Sequence, residues 1–290
     1  MIIKKSLKTP WGLLSYSENT AVVSEGATLL FIHGNSSSSE SFQHQFSDPN
    51  LNSYRLIALD LPGHGDSEVL QAGSYSLPVY AKIIRSFVEE LCLQNVILLG
   101  HSLGGHIALE ALSLEGPWGG FVIWGTPPLS TPPDMNAAFR PNPRVEGLFK
   151  ANVTTGEIQG VLESIFENSL RWEKLGRELF EKTHVLAREE LASSVGRLDY
   201  TDELKVLRET SVKGILFDLE RDQIVESSYF SCISIDVLEK HSIKKMPWGH
   251  SPHVENSIHF NEIIFDYLNT KVNFVVINNH GLVPTTMKLL

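Results

Sequence analysis

Short apolar runs, each closed by glycine or proline, punctuate the first half of the chain and return near its end. They are TLLFIHG (28–34), YRLIALDLPG (54–63), VILLG (96–100), FVIWGTPP (121–128), VKGILFDL (212–219) and SIKKMP (242–247). Runs this apolar suit strands buried on both faces of a parallel sheet. Between them, apolar residues recur at spacings of three and four. Tyr80, Ile83, Ile84, Phe87, Val88 and Leu91 form one such series, and Leu103, Ile107, Ala108, Ala111 and Leu112 a second. Phe260, Ile263, Ile264, Tyr267 and Leu268 form a third. That spacing is the period of an amphipathic helix. Strand alternating with helix predicts an α/β fold, with a mostly parallel central sheet flanked by helices. Ahead of it, Ile2 to Thr9 and Leu13 to Glu18 flank Pro10-Trp11-Gly12 and predict a hairpin.

One region breaks the alternation. Between about Leu129 and Thr210 a Pro-rich entry, PPLSTPPDMNAAFRPNP, leads into helical spacing alone, as at Ile158, Val161, Leu162, Ile165 and Phe166. The pattern predicts a helical cap over residues 129–210, inserted between core strands, with the core in 1–128 and 211–270. Apolar cap residues such as Met135, Phe139, Leu148, Phe149 and Phe166 are candidates for lining an acyl pocket. Residues 271–290 carry an apolar patch, FVVI, without a place in the alternation. An extra strand, a disordered tail and a non-native extension all remain open for it.

Composition narrows the partners. Of 290 residues 42% are hydrophobic and 20% charged, and the formal net charge is −10. An acidic surface disfavours nucleic acid or an anionic membrane as the main partner. Two cysteines, Cys92 and Cys232, are too few for a disulfide framework and lack metal-ligand spacing. There is no signal-peptide core and no apolar run of membrane-spanning length. The expectation is a cytoplasmic protein, monomer or homodimer, acting on a small molecule.

The candidate chemistry starts at Gly100-His101-Ser102-Leu103-Gly104. This G-x-S-x-G sequence lies between a strand run and a helical pattern, the context in which a sharp turn lifts a serine hydroxyl above the sheet edge. Taken alone, it could be a Gly-rich turn with a helix-capping serine. A serine nucleophile needs a base and the base an orienting carboxylate, in the chain order Ser, acid, His. Asp222 follows the 212–219 run and His250 follows the 242–247 run, each on a loop at a strand's carboxyl end. Glu220 and Asp218 are rivals for the acid, and His253 for the base. His33 is expected to brace its loop, His64 to bond backbone and His101 to face the packed side. His44, His106, His184 and His259 are expected to be surface or helix residues. Gly34 lets the chain turn after the first core strand, making the N–H groups of Asn35 and Leu103 the candidate oxyanion hole.

HGN (33–35), DLPGHGDS (60–67), GHSLGG (100–105), RDQIV (221–225) and GHSPH (249–253) together resemble the α/β-hydrolase superfamily. The resemblance spans the chain to about residue 269. It implies an α/β-hydrolase fold with an eight-stranded sheet and a cap, and hydrolysis through an acyl-enzyme with no metal or organic cofactor. HGNSSS (33–38), DLPGHG, SLGGHIALE (102–110) and GTPP (125–128) are similar to the metal-independent N-acyl-homoserine lactone lactonases of that superfamily. An ester or lactone is the substrate this implies. In that family the acid at this loop is not always Asp, which keeps Glu220 in view. A serine at the elbow argues against epoxide hydrolases and haloalkane dehalogenases, whose nucleophile is aspartate. Carbon–carbon hydrolases, amidases, perhydrolases and ligand-binding receptors of the same fold remain alternatives. No H-x-H-x-D-H cluster suggests a metal-dependent lactonase.

Overall fold

The computed structural model describes residues 2–19, 26–233, 237 and 240–279, with backbone alone for 271–279. The apolar runs are strands: β1 (Ile2–Thr9), β2 (Gly12–Asn19), β3 (Thr28–Ile32), β4 (Arg55–Leu59), β5 (Val96–His101), β6 (Trp118–Trp124), β7 (Gly214–Leu219) and β8 (Ser242–Met246). They form one sheet in the order β1-β2-β4-β3-β5-β6-β7-β8. The hairpin β1–β2 pairs antiparallel and joins β4 antiparallel; every later pairing is parallel.

The sheet is covered on both sides along its inner strands, which explains their unbroken apolar runs. At its edges β1 and β8 are largely exposed, so SIKKM is an edge strand and not one buried on both faces. Successive side chains point to opposite faces. Leu30, Ile32, Ile57, Leu59, Leu98 and Ile123 thus share one core with the helices Leu77–Glu90 and Leu103–Leu112. Leu29, Phe31, Leu56, Leu99, Val122 and Phe217 share the other with Phe260, Ile264 and Leu268 of the last helix. The helix Leu77–Glu90 starts where sequence chemistry asks it to. Ser76 accepts a hydrogen bond from Val79 N–H, and a proline occupies its first turn.

Between β6 and β7 lie helices Thr155–Ile165, Ser169–Glu181, Val185–Gly196 and Glu203–Glu209, preceded by shorter turns. Thr154 and Glu157 form a reciprocal capping box on the first. The insert is tied at its neck. Glu203 N–H bonds Leu129 O at 2.8 Å, and the Glu203 carboxylate accepts from Leu129 N–H at 2.7 Å. That carboxylate also meets His106 Nδ1 at 2.8 Å, so His106, a residue of the helix Leu103–Leu112 as expected, is also a partly buried partner of the neck.

The last helix runs Ser257–Asn279, so the FVVI segment is helical and not a ninth strand. Residues 280–290, the remainder of the stretch left open from sequence, lie outside the described residues. No helix among the described residues is long and apolar enough to cross a membrane.

Candidate active site

The parallel register gathers the candidate residues at one edge. Ile32 lies opposite Gly100, so the loop after β3 emerges beside the turn after β5. Leu219 lies opposite Met246, so the loops carrying Asp222 and His250 leave the sheet side by side.

Ser102 stands between β5 and the helix Leu103–Leu112 with φ 51° and ψ −116°. A non-glycine residue there is strained, and the surroundings must hold it. They do: Ser102 N–H bonds Trp124 O at 2.9 Å, and Ser102 O accepts from Gly105 N–H at 2.9 Å and Thr126 Oγ1 at 2.8 Å. A Cβ on Gly104 would stand 2.1 Å from Ile32 O, and one on Gly100 would stand 2.4 Å from Gly104 O. Only glycine permits this close approach of turn and sheet. The Ser102 side chain makes no capping bond to its helix, which sets aside the helix-capping reading.

Asp222 and His250 meet. Nδ1 of His250 lies 2.7 Å from Asp222 Oδ2, and both side chains are buried. The other carboxylate oxygen, Oδ1, accepts from Ile224 N–H at 2.8 Å and Val225 N–H at 3.1 Å. Three contacts therefore fix one carboxylate, and with Nδ1 committed, Nε2 is the imidazole nitrogen left to accept a proton. The rival acids are elsewhere: Ser227 Oγ donates to Asp218, and Glu220 pairs with Lys245 at 3.3 Å on the surface.

The other buried histidines around the site, His33, His64, His101 and His253, each have a bonded ring nitrogen. His253 is buried, accepts from Trp124 Nε1 at 3.1 Å, and burial brings its pKa down to about 3. His64, bonded to Pro62 O, is likewise brought down to about 3, first by burial. His33 donates from Nδ1 to Gly34 O at 2.7 Å and accepts Leu61 N–H on Nε2 at 2.9 Å, so it braces the loop. His101 stacks on Trp124 and donates from Nε2 to His250 O at 3.0 Å; burial keeps it far below the usual imidazole range. These rings are neutral supports. His101, Trp124 and Thr126 thus buttress the serine and the histidine loop. In the sequence Trp124 ends an apolar strand run and Thr126 falls in the GTPP that follows, and neither carries a mark of this role.

Asn35 divides its groups. Its side-chain amide donates to Leu148 O at 2.7 Å and its Oδ1 accepts from Ser36 Oγ at 3.2 Å. Its backbone N–H and that of Leu103 have no hydrogen-bond partner among the described residues. Two free N–H groups beside a serine at a helix start can receive a developing negative charge.

Ser102 and His250 line one cavity of about 40 Å³. Its floor is polar: Gly34, Asn35, Ser41, Ser102 and His250. Its roof is apolar and comes from the insert, with Leu148, Val161, Leu162, Ile165, Phe166 and Phe180. Of the five roof candidates named from sequence, Leu148 and Phe166 are in the wall. Met135 and Phe149 are 44% and 49% exposed, because the short turns that carry them face solvent. Phe139 instead forms a bridge with Val225. Among the described residues no group of three His, Cys, Asp or Glu side chains could hold a metal ion.

This fold and site define a member of the alpha/beta hydrolase fold family, whose model matches residues 27–198. A structure of a variant of the N-acyl homoserine lactonase AidH, complexed with N-hexanoyl homoserine, superposes with a TM-score of 0.82. It is 25% identical, and the match covers 93% of this chain and 97% of that one. An esterase from Thermogutta terrifontis gives a TM-score of 0.71 at 16% identity, over 93% of this chain and 99% of its own. The non-heme chloroperoxidase of Burkholderia pyrrocinia is 26% identical over 241 residues, 76% of this chain and 83% of that protein. Other curated relatives are matched over about a third of their own length. The hydrolase YugF of Bacillus subtilis, for example, is 40% identical over 91 residues, 31% of this chain and 32% of YugF.

Proposed function

We propose that the protein is a serine hydrolase cleaving a carboxylic ester or lactone through an acyl-enzyme, with an N-acyl homoserine lactone as its substrate. The observation that carries this reading is the 2.7 Å contact of Asp222 with His250 at the cavity that also holds the strained Ser102. In this mechanism His250 Nε2 takes the Ser102 proton as Oγ attacks the carbonyl carbon. The carbonyl oxygen becomes an oxyanion, received by the N–H groups of Asn35 and Leu103. Collapse breaks the ester C–O bond, and His250 returns its proton to the leaving alkoxide. In a lactone that alcohol stays attached to the acyl group. A water, deprotonated by His250, then attacks the acyl-enzyme and frees the acid and Ser102.

The lactonase part rests on the likeness to AidH and on an apolar roof suited to an acyl chain. The test is a substrate screen of p-nitrophenyl esters, lactones and acyl-homoserine lactones, with wild type beside Ser102→Ala. Ring-opened acid from the wild type alone is the expected product. Free amine would instead identify an amidase, and undiminished turnover by Ser102→Ala would overturn the scheme.

A further inference from the structure

We propose that Glu167 is a positioning residue, which from the helical insert holds the loops of Asp222 and His250 in their working geometry. The proposal rests on the roles given above to Ser102, His250 and Asp222. Glu167 sits at the corner between helices Thr155–Ile165 and Ser169–Glu181. Its Oε2 accepts the Gly249 N–H at 3.2 Å, and its Oε1 lies 2.9 Å from Arg221 Nε. Gly249 immediately precedes His250, and Arg221 immediately precedes Asp222. One carboxylate on the insert thus touches the residue before each of the two groups that meet at 2.7 Å. The loops also bond each other there, through Arg221 N–H and Trp248 O at 3.0 Å.

The corner is fixed from behind. Glu255, on the short helix that follows His250, accepts Glu167 N–H and Asn168 N–H at 2.9 Å each. Steric evidence points the same way. A Cβ on Gly249 would stand 2.6 Å from Glu167 Cγ, so glycine is what admits this side chain against the histidine loop. Phe166, the preceding residue, lines the cavity, so the corner touches the occupant's space on one side and the two loops on the other.

Magnitudes separate a positioning role from a stabilising one. The Glu167–Arg221 pair is open to solvent, and such pairs add little to stability. Rate responds far more steeply to geometry: a shift of about 1 Å at a reacting group costs about 100-fold, so a fraction of that costs about 10-fold.

The experiment compares Glu167→Ala, Glu167→Gln and Gly249→Ala on p-nitrophenyl acetate and p-nitrophenyl hexanoate, with Ser102→Ala alongside. The acetyl group, with one carbon beyond the carbonyl, offers the roof the least to engage. A positioning role predicts that Glu167→Ala lowers kcat about 10-fold on both esters, with KM within about twofold. Glu167→Gln keeps an oxygen for Gly249 N–H and should retain most of the rate. Gly249→Ala should cost as much as Glu167→Ala, and the two combined little more, because they disturb one contact. A loss confined to KM on the hexanoate would make Glu167 part of the roof only and overturn the proposal, as would wild-type constants on both esters. Thermal midpoints separate unfolding from lost rate, and if Glu167→Ala is unstable, Gly249→Ala decides by the same criterion. Activity surviving in Ser102→Ala would mark failure of the underlying reading instead.

Discussion

The cavity has two sides built on different terms. Its floor belongs to the sheet: Ser102 in a strained turn, His250 and Asp222 buried in contact, neutral histidines packed behind them. Its roof comes from the insert and is made of aliphatic and aromatic side chains in small clusters, Leu148, Val161 and Phe180 in one and Leu162 and Phe166 in another, the latter packed on Val254 of the helix after His250. The floor depends on placement to within tenths of an ångström, and the roof on volume and apolarity. Changes to the floor should therefore abolish turnover whatever the substrate, and changes to the roof should alter which substrate is turned over.

The largest effect tests that division most directly. Ser102→Ala should lower kcat by on the order of 10⁴ or more for every substrate, with KM little changed, as read by steady-state assays. His250→Gln should match it. The next effect concerns stability. Phe260→Ala removes a ring packed on Trp124, Phe217 and Trp248 and should destabilise the fold by about 3–5 kcal/mol, measured by denaturant unfolding. A wall residue gives a smaller and more selective change. Leu162→Ala or Phe166→Ala should alter kcat/KM by about 10-fold between short and long acyl chains, leaving acetate nearly untouched. Equal losses on all chain lengths would blur the two sides.

A last effect concerns pH. His64 and His253 are buried in the core with pKa values brought down to about 3, against an ordinary 6.5, whereas His184, the insert's histidine, is exposed and caps a helix. The unfolded chain binds protons on these two rings more readily than the folded one. Their contribution to stability is complete above about pH 6.5 and is lost as pH falls from there toward 3. Thermal midpoints measured from pH 7 to pH 4 should fall, and His253→Gln should flatten the slope.

What could be foreseen from sequence divides along the same line. β3, β5 and β6 were legible because burial on both faces writes itself as an unbroken apolar run. β8 was harder, since SIKKM is a half-exposed strand at the sheet's edge, and its place in the alternation identified it. Ser102, Asp222 and His250 could be named because each follows a strand that the sequence marks. The roof could be bounded but not oriented: Phe149 and Phe166 look alike in the chain, and only packing turns one outward and the other into the cavity. Contacts between distant residues left no local trace. His106 with Glu203 and Gly249 with Glu167 join positions 97 and 82 residues apart.

The cavity's small volume has a consequence in time rather than space. A space of about 40 Å³ is smaller than the acyl-homoserine lactone proposed above, so on that reading entry and departure require the roof to yield. Bond cleavage and ligand exchange are then separate events with separate rates, and kcat reports the slower one. Across esters with progressively better leaving groups, turnover should stop rising once opening sets the pace. From that plateau onward it should respond to solvent viscosity instead of to the reactivity of the ester.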